Sequence, residues 1–397
     1  MGRWEDKYVI GLTGNIAMGK SLVRRMLEHL GAYTIDADGL THQAMAPGAP
    51  AYKPVIALFG QWLLDSERRI DRSKLGAVVF AHPEALALLE KITHPVIDQA
   101  INTLINRARH KVVVVEAIKL LETPLATQVD AIWVVDASEE NQLERLKARG
   151  LPHLEALKRI RVQNPQADKL ARASVVITNN GSPEETWSQV QAGWSQIKGA
   201  AEEEAVQAQV QRVEIKPAPA SDAEPARDAK PKMTITALDI IRGMPKHAEQ
   251  IAQLIHQQTG REMSRTDVLM AFGQKSYMLA MADNTPVGLV GFLVENLVTR
   301  VDEFLIIDAA PIPAVATTLL QAIENASREL QSEVGYVFVP NDAAQEMIQA
   351  LSEQGYEDTK LEDIKVPAWR EAVREARPEG SRVYSKKLRA ERVLKPL

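Results

Sequence analysis

The sequence predicts an α/β protein: a domain built on a largely parallel β-sheet, followed by a second, α+β domain. Three observations lead there. In the first half, short apolar runs alternate with amphipathic helical stretches, an order that buries parallel strands beneath crossover helices. From 199 to 232 the chain turns acidic and Ala/Gln-rich, then Pro/Ala-rich, with no apolar period that could fill a core. Beyond 233, strands return in an order that mixes hairpins and helices. With 397 residues, 45% of them hydrophobic, the chain is long enough for two or three domains. The expected division is 1–198, a linker at 199–232, and 233–397.

The elements run in order along the chain. Tyr8–Thr13 reads as a strand, then comes a glycine-rich turn and a helix from about Lys20 to Leu30. Ala32–Ile35 is a second strand, leading into Asp36. Residues 38–110 are mainly helical, broken at Pro47, Gly48, Pro50 and His94-Pro95, and form a lobe facing the substrate. Val112–Glu116 and Ala131–Asp136 are strands; helices at about 139–149 and 153–162 lead to the strand Ser174–Thr178 and a last helix to about Ile197. That helix is expected to extend into the linker, whose prolines from about Lys216 favour an extended spacer.

In the second domain the expected strands are Thr234–Ile240, Ser276–Ala282, Val287–Glu295, Phe304–Ile307 and Val334–Val339. Asp283–Pro286 suits a hairpin turn, and helices fall near 246–258, 314–330 and 343–354. Tyr336, Tyr356 and Tyr384 are expected to be packed amphipathic residues, and Tyr384-Ser385-Lys386-Lys387 with the basic tail to be solvated surface.

Composition narrows the function. Without cysteine, disulfides, thiol nucleophiles and thiolate metal sites are excluded. A formal charge of −5 argues against a protein that coats nucleic acid, and no apolar run is long enough to span a membrane, so a cytoplasmic location is expected. The first 198 residues carry +2 and the rest −7, which makes the first domain the better host for an anionic ligand.

The strongest local signal is Gly14-Asn15-Ile16-Ala17-Met18-Gly19-Lys20-Ser21, a GxxxxGK[ST] loop between a predicted strand and a predicted helix. Gly14 and Gly19 let successive N–H groups face one point, to which the helix start adds its own donors and partial positive charge. Lys20 would neutralise phosphate oxygens. Ser21 would help to coordinate Mg²⁺, a hard cation that prefers oxygen ligands. The pattern itself does not separate a kinase from an ATPase or GTPase.

Asp36 and Asp38 come after the second strand, where one carboxylate can hold Mg²⁺ through water while the other takes a proton from an attacking hydroxyl. Asp38, lying further out, is the better base; an N-cap and turn is the plainer alternative for the pair. Glu116, at the crevice end of its strand, would meet a metal or cap the segment from Ile118 onward. Arg145, Lys147 and Arg149 come late in one helix and Arg159 in the next, across the Gly/Pro turn 150–152, an arrangement suited to a lid. Arg159 and Gln163 would share a helical face at i, i+4. His42, four residues after Asp38, would face the same cleft, and His94 could contact a ligand in the inserted lobe.

Taken together, IGLTGNIAMGKS, GAYTIDAD, APGAPAY, IDRSKLGAVVFAHPEAL, ITHPVI, IWVVDASEENQLERLKAR and ARASVVITNNGSPEET make residues 8–197 resemble dephospho-CoA kinase. The resemblance implies a P-loop kinase core, a helical insertion that receives the CoA portion, and a mobile lid. It further implies ATP and Mg²⁺ as cofactors and transfer of the ATP γ-phosphate to the ribose 3′-hydroxyl of dephospho-CoA. Ala17, Met18, Gly19, Lys20, Ser21 and Leu22 fall on the family's ATP-loop positions, Asp38 on its base, Asp36 on the base's partner, and Arg149 on its lid arginine. Arg159 and Gln163 fall on polar positions beyond the lid turn.

The sequence also departs from the family. Leu22 stands where Thr is usual, His42 where Arg is common, and Ile118-Lys119 where Pro-Leu is typical. Ala17 and Met18 must tolerate dihedrals that glycine accepts more easily, and Lys119 could be an alternative anion contact.

Residues 233–397 loosely resemble acetyl-CoA-dependent N-acetyltransferases. The segment 308–316, however, lacks the glycines and arginine by which that family grips pyrophosphate, and Pro311 and Pro313 remove two donors. Acetyltransferase activity is therefore not assumed: the domain is expected to bind a protein partner or small ligand, to regulate the kinase, or to retain only the fold. The alternatives to a kinase are a non-catalytic nucleotide- or CoA-binding regulator, or an acetyltransferase with a nucleotide-sensing first domain.

Overall fold

The protein is described by a computed structural model covering residues 3–197, 210–215 and 233–390. A five-stranded, wholly parallel sheet has the order β2-β3-β1-β4-β5, built from β1 (Tyr8–Thr13), β2 (Tyr33–Asp36), β3 (Val112–Glu116), β4 (Ala131–Asp136) and β5 (Val175–Thr178). The four valines of β3 are all fully buried, as a strand covered on both faces requires. From β1 the chain first visits β2 and β3 on one side, then crosses to β4 on the other, which leaves a crevice outside the carboxyl end of β1. Register sets Leu12 and Asp36 on either side of Glu116, so two carboxylates stand level at that edge.

Helix α1 (Lys20–His29) comes after β1 and packs against β2, β3 and α9 (Pro183–Trp194), sealing a core of Ile10, Leu12, Leu27, Trp133 and Trp194. The insertion after β2 holds α2 (Ala37–Ala44), α3 (Tyr52–Phe59), α4 (Arg72–Ala81) and α5 (Pro83–Arg107). His94-Pro95 does not break this lobe in two as expected: α5 runs unbroken through Pro95. Pro95 forgoes one i→i−4 hydrogen bond, but the buried stripe Ile97, Ile101, Leu104 and Ile105 keeps the helix in place. Beyond β4 come α6 (Glu139–Ala148), α7 (His153–Arg161) and a short α8 (Gln166–Leu170) that the sequence did not signal.

The second sheet is mixed, of order β12-β13-β11-β10-β9-β8-β7-β6. Its strands are β6 (Gln211–Glu214), β7 (Ala237–Arg242), β8 (Ser276–Ala282), β9 (Thr285–Glu295), β10 (Val298–Ile306), β11 (Val334–Pro340), β12 (Glu357–Asp358) and β13 (Ser381–Lys387). Its helices are α10 (Ala248–Thr259), α11 (Arg265–Ala271), α12 (Ile312–Glu329), α13 (Gln345–Glu353) and α14 (Pro367–Ala376). Asp283 and Asn284, at φ 47° and 65°, form the expected hairpin turn between β8 and β9.

Two expectations fail in this half. The proposed linker contains β6, paired antiparallel with β7, so part of it belongs to the sheet; the helix extension to 209 and the spacer at 216–232 lie outside the described residues. Tyr384-Ser385-Lys386-Lys387 is not solvated surface but the end of β13, paired with β11 inside the sheet. Tyr384 is buried there, as are Tyr336 and Tyr356, and Lys386 reaches Glu324 Oε1 at 2.6 Å.

The two sheets do not stand apart. The turn between β9 and β10 lies on the first domain, where Arg25 Nη1 donates to the Val294 carbonyl (3.2 Å) and Gln43 to that of Asn296. Gln331 Nε2 donates to the Leu104 carbonyl (2.8 Å), and Leu297 and Leu330 share one hydrophobic cluster with Tyr33, Leu40 and Leu104. Gly39 allows the approach: a Cβ there would lie 2.2 Å from Asn296 Oδ1. Among the described residues no helix is long and apolar enough to cross a membrane.

Candidate functional site

The glycine loop occupies the crevice. Gly14 turns the chain at φ 149°, where a Cβ would strike the Val135 carbonyl at 2.5 Å. Ala17 accepts a left-handed φ of 59°, as expected; Met18 does not need one, and its buried sulfur instead accepts the Ala137 N–H (3.0 Å). Gly19, at φ 102°, caps α1, and a side chain there would overlap Asn179 Nδ2 at 2.0 Å. Leu22, just past the loop, packs against Gly273 of the second domain, which leaves its backbone as the part able to serve the loop.

Loop carbonyls and amides are pinned by side chains of which only Arg145, expected in a lid, and Gln163 were candidates from the sequence. Arg145 donates to the carbonyls of Ala17, Met18 and Asn179 (3.1, 3.2 and 2.7 Å), and Gln142 to that of Ile16 (2.7 Å). Asn179 Nδ2 donates to the Met18 carbonyl (2.9 Å). Gln166 Oε1 accepts from Asn15 N (3.1 Å), and buried Lys169 donates to Asn15 Oδ1 (2.7 Å). Burial and the charge of Lys20 bring the Lys169 pKa down to about 8. Gln163 does reach the loop, accepting from Ile16 N at 2.7 Å, but not as an i+4 neighbour of Arg159, because α7 ends at Arg161.

Lys20 is 7% exposed and donates to the Asn15 carbonyl (3.2 Å). Burial lowers its pKa while the negative charges of Glu116, Asp38 and Asp36 act against that; Arg149 reinforces the lowering. Glu116 Oε1 accepts from Ser21 Oγ (3.2 Å) and its Oε2 from Arg24 Nε (2.6 Å), a buried pair that fixes the carboxylate beside the start of α1. Asp36 is the N-cap of α2 and accepts from Gly39 N (2.9 Å), so the plainer capping role is present for that residue. Burial raises its pKa, against the pull of Arg24.

Asp38 sits in the first turn of α2, and its Oδ2 accepts the Ile118 N–H at 3.1 Å. Burial and the neighbouring Asp36 push its pKa up to about 6, held there against Ile118 and Lys20. The departure at Ile118 therefore has a structural use, since a proline would have no N–H to give. Lys119 is turned away into an ion pair with Glu90 (2.9 Å), so it is not brought to the loop.

Arg149 ends α6 and Arg159 lies on α7, both exposed. Their side chains, like that of His94, make no hydrogen bond or ion pair among the described residues. His42 lies on α2 one turn beyond Asp38, where desolvation and Arg72 lower its pKa.

The site thus sets a cationic, donor-rich loop at a helix start against three carboxylates, two on neighbouring strand ends and one in the first turn of α2. The family model for dephospho-CoA kinase matches residues 8–185. The dephospho-CoA kinase of Geobacter metallireducens is 46% identical over 192 residues, 47% of this chain and 96% of that protein. The chain belongs to the dephospho-CoA kinase family. Another relative, from Geobacter sulfurreducens, is 42% identical over 191 residues, 47% of this chain and 97% of the relative. Among solved structures, TT1252 from Thermus thermophilus covers 49% of this chain and all of its own at 31% identity, with a TM-score of 0.45. Family membership thus covers the first domain and leaves the second outside it.

Proposed function

We propose that the chain transfers the γ-phosphoryl group of ATP to the ribose 3′-hydroxyl of dephospho-CoA, giving CoA and ADP. The observation that carries this is Asp38: a carboxylate with its pKa raised to about 6, held by the Ile118 amide beside Lys20 and the glycine loop. A base of that strength is half ionised near pH 6 and accepts a hydroxyl proton at neutral pH.

In this reading, loop N–H groups and the start of α1 receive the ATP phosphates, and Lys20 neutralises their oxygens. Asp38 draws the proton from the acceptor hydroxyl as it attacks in line. Arg149, on the turn between α6 and α7, closes over the transferred group and Arg159 moves with it. Gln163 ties that lid to the loop through Ile16. Asp36 orients α2 and, through it, Asp38.

Ser21 Oγ and Glu116 Oε1, 3.2 Å apart, present the oxygen donors that Mg²⁺ prefers, and would hold it beside the phosphates. Mg²⁺ bound there would offset charge on the phosphate oxygens. Among the described residues no three acidic or histidine side chains form a metal cluster by themselves, so phosphate oxygens and water would complete the coordination. His42 and His94 belong to the acceptor side, on α2 and α5 of the lobe.

Purified protein incubated with ATP, Mg²⁺ and dephospho-CoA should release CoA. Nucleotide binding without CoA would sink the reading in favour of a regulator.

A further inference from the structure

A cavity of about 450 Å³ opens between the helical lobe and the second domain. Met45, Ile70, Leu75, Val79 and Leu89 give it an apolar lining; Arg69 and Arg72 line it together with Asp65 and Asp71, and Arg69 Nε is paired with Asp65 Oδ2 at 2.8 Å. It begins one turn along α2 from the proposed base, because Asp38 and His42 lie at i and i+4 on that helix, Met45 is its C-cap, and the latter two line the cavity. Its remaining wall does not come from the kinase domain. Pro367, Ala368 and Glu371, from the first two turns of α14, close it from the second domain. Arg72 Nη2 lies 3.9 Å from Glu371 Oε2, Arg374 Nη2 lies 3.2 Å from Glu67 Oε1, and Arg300 Nη1 donates to the Ala372 carbonyl (3.4 Å). The first two contacts hold α14 against the lobe, and the third anchors it to β10 of its own domain.

We propose that α14 of the second domain is a wall of the acceptor site, and that Ala368 and Glu371 help to decide which acceptor the kinase takes. The inference rests on the kinase reading above. The ligand class is a nucleotide that carries a long, neutral arm through a diphosphate. With its sugar hydroxyl at Asp38, the neutral arm would run along the α2 face into the cavity, whose apolar lining suits it. The volume is in the ordinary range for a small-molecule site, roughly 300–1,000 Å³. Ala368 leaves room for the arm. Glu371 keeps Arg72 in place and repels an arm that ends in a negative charge, so the second domain would select by exclusion as well as by fit.

Two measurements on the full chain test this. Ala368→Trp, which fills the cavity from the second-domain side, should raise KM for dephospho-CoA at least tenfold while kcat and the KM for ATP stay within twofold. In the wild type, dephospho-CoA should slow amide hydrogen exchange across 367–376, and ATP alone should not. If CoA forms normally but α14 gains no protection, the wall is not part of the site and the kinase reading stands. An unchanged KM in a folded Ala368→Trp protein overturns the inference equally. Should that variant fail to fold, the wild-type exchange result decides. Absence of CoA from the wild type removes the kinase reading and this inference with it.

Discussion

Asp38→Asn separates catalysis from stability in a way that the geometry makes quantitative. The side chain keeps its shape and can still accept the Ile118 N–H, so the turn at the start of α2 survives. What it loses is the ability to take a proton. Loss of a positioned general base typically costs about 10²–10⁴-fold in rate, and that loss should appear in kcat with little change in ATP affinity. Stability should move the other way. In the folded chain the Asp38 pKa is raised from 3.8 to about 6, so the native state holds this proton more tightly than the unfolded chain does.

Its favourable contribution is therefore full below about pH 4 and is lost as pH rises through about 6. The shift corresponds to at most about 3 kcal/mol, which burial costs the ionised form at neutral pH. Urea unfolding should find Asp38→Asn more stable than wild type at pH 7.5 by up to about 3 kcal/mol, with the gap closing toward pH 4. In the wild type, kcat/KM should fall below pH 6, to roughly a tenth of its plateau at pH 5. Wild-type turnover in Asp38→Asn, or a stability difference that does not change with pH, would refute the assignment of the base.

Lys20→Ala should weaken ATP binding and turnover together, since the buried ammonium is the loop's main positive charge; calorimetry with an ATP analogue checks the first and CoA release the second. Gly19→Ala should abolish most activity and lower the melting temperature, because φ 102° and the Asn179 amide leave no place for a methyl group. Glu116→Ala strands Arg24 without its closest partner and should cost about 3 kcal/mol in urea unfolding. The same variant should raise the Mg²⁺ concentration needed for half-maximal rate.

Much of the first domain was legible because its signals are local. A strand, a glycine loop and a helix fix one another within 22 residues, Tyr8 to His29, and the carboxylates Asp36 and Glu116 mark strand ends that register then sets level. The side chains that hold the loop were only partly legible: Gln163 was a candidate, and Arg145 was expected in a lid and not on the loop. Arg145, Gln166 and Lys169 act on it from 120 or more residues away, and on a helix such residues read as ordinary solvated polar positions; Asn179 reaches it from a loop. The Asn164-Pro165 break after α7 was the one hint that Gln163 leaves the helix and that Gln166 starts a new one.

In the second domain, β13 was missed because Ser381–Lys387 alternates weakly and carries charge; its pairing with β11, not its composition, buries Val383 and Tyr384. The β9–β10 turn was missed because Asn296-Leu297 is not a usual turn pair, and Leu297 takes φ 65° with its side chain fixed in the interdomain cluster. The docking of the two domains lies in such tertiary contacts and left no mark in the linker's composition.

The most direct test is a crystal structure of the protein with a non-hydrolysable ATP analogue, Mg²⁺ and dephospho-CoA. Its triphosphate should lie against the amides of residues 14–21, with the acceptor's 3′-oxygen within about 3.2 Å of an Asp38 carboxylate oxygen. A nucleotide bound elsewhere, or a closed complex with that oxygen facing a different residue, would contradict the account.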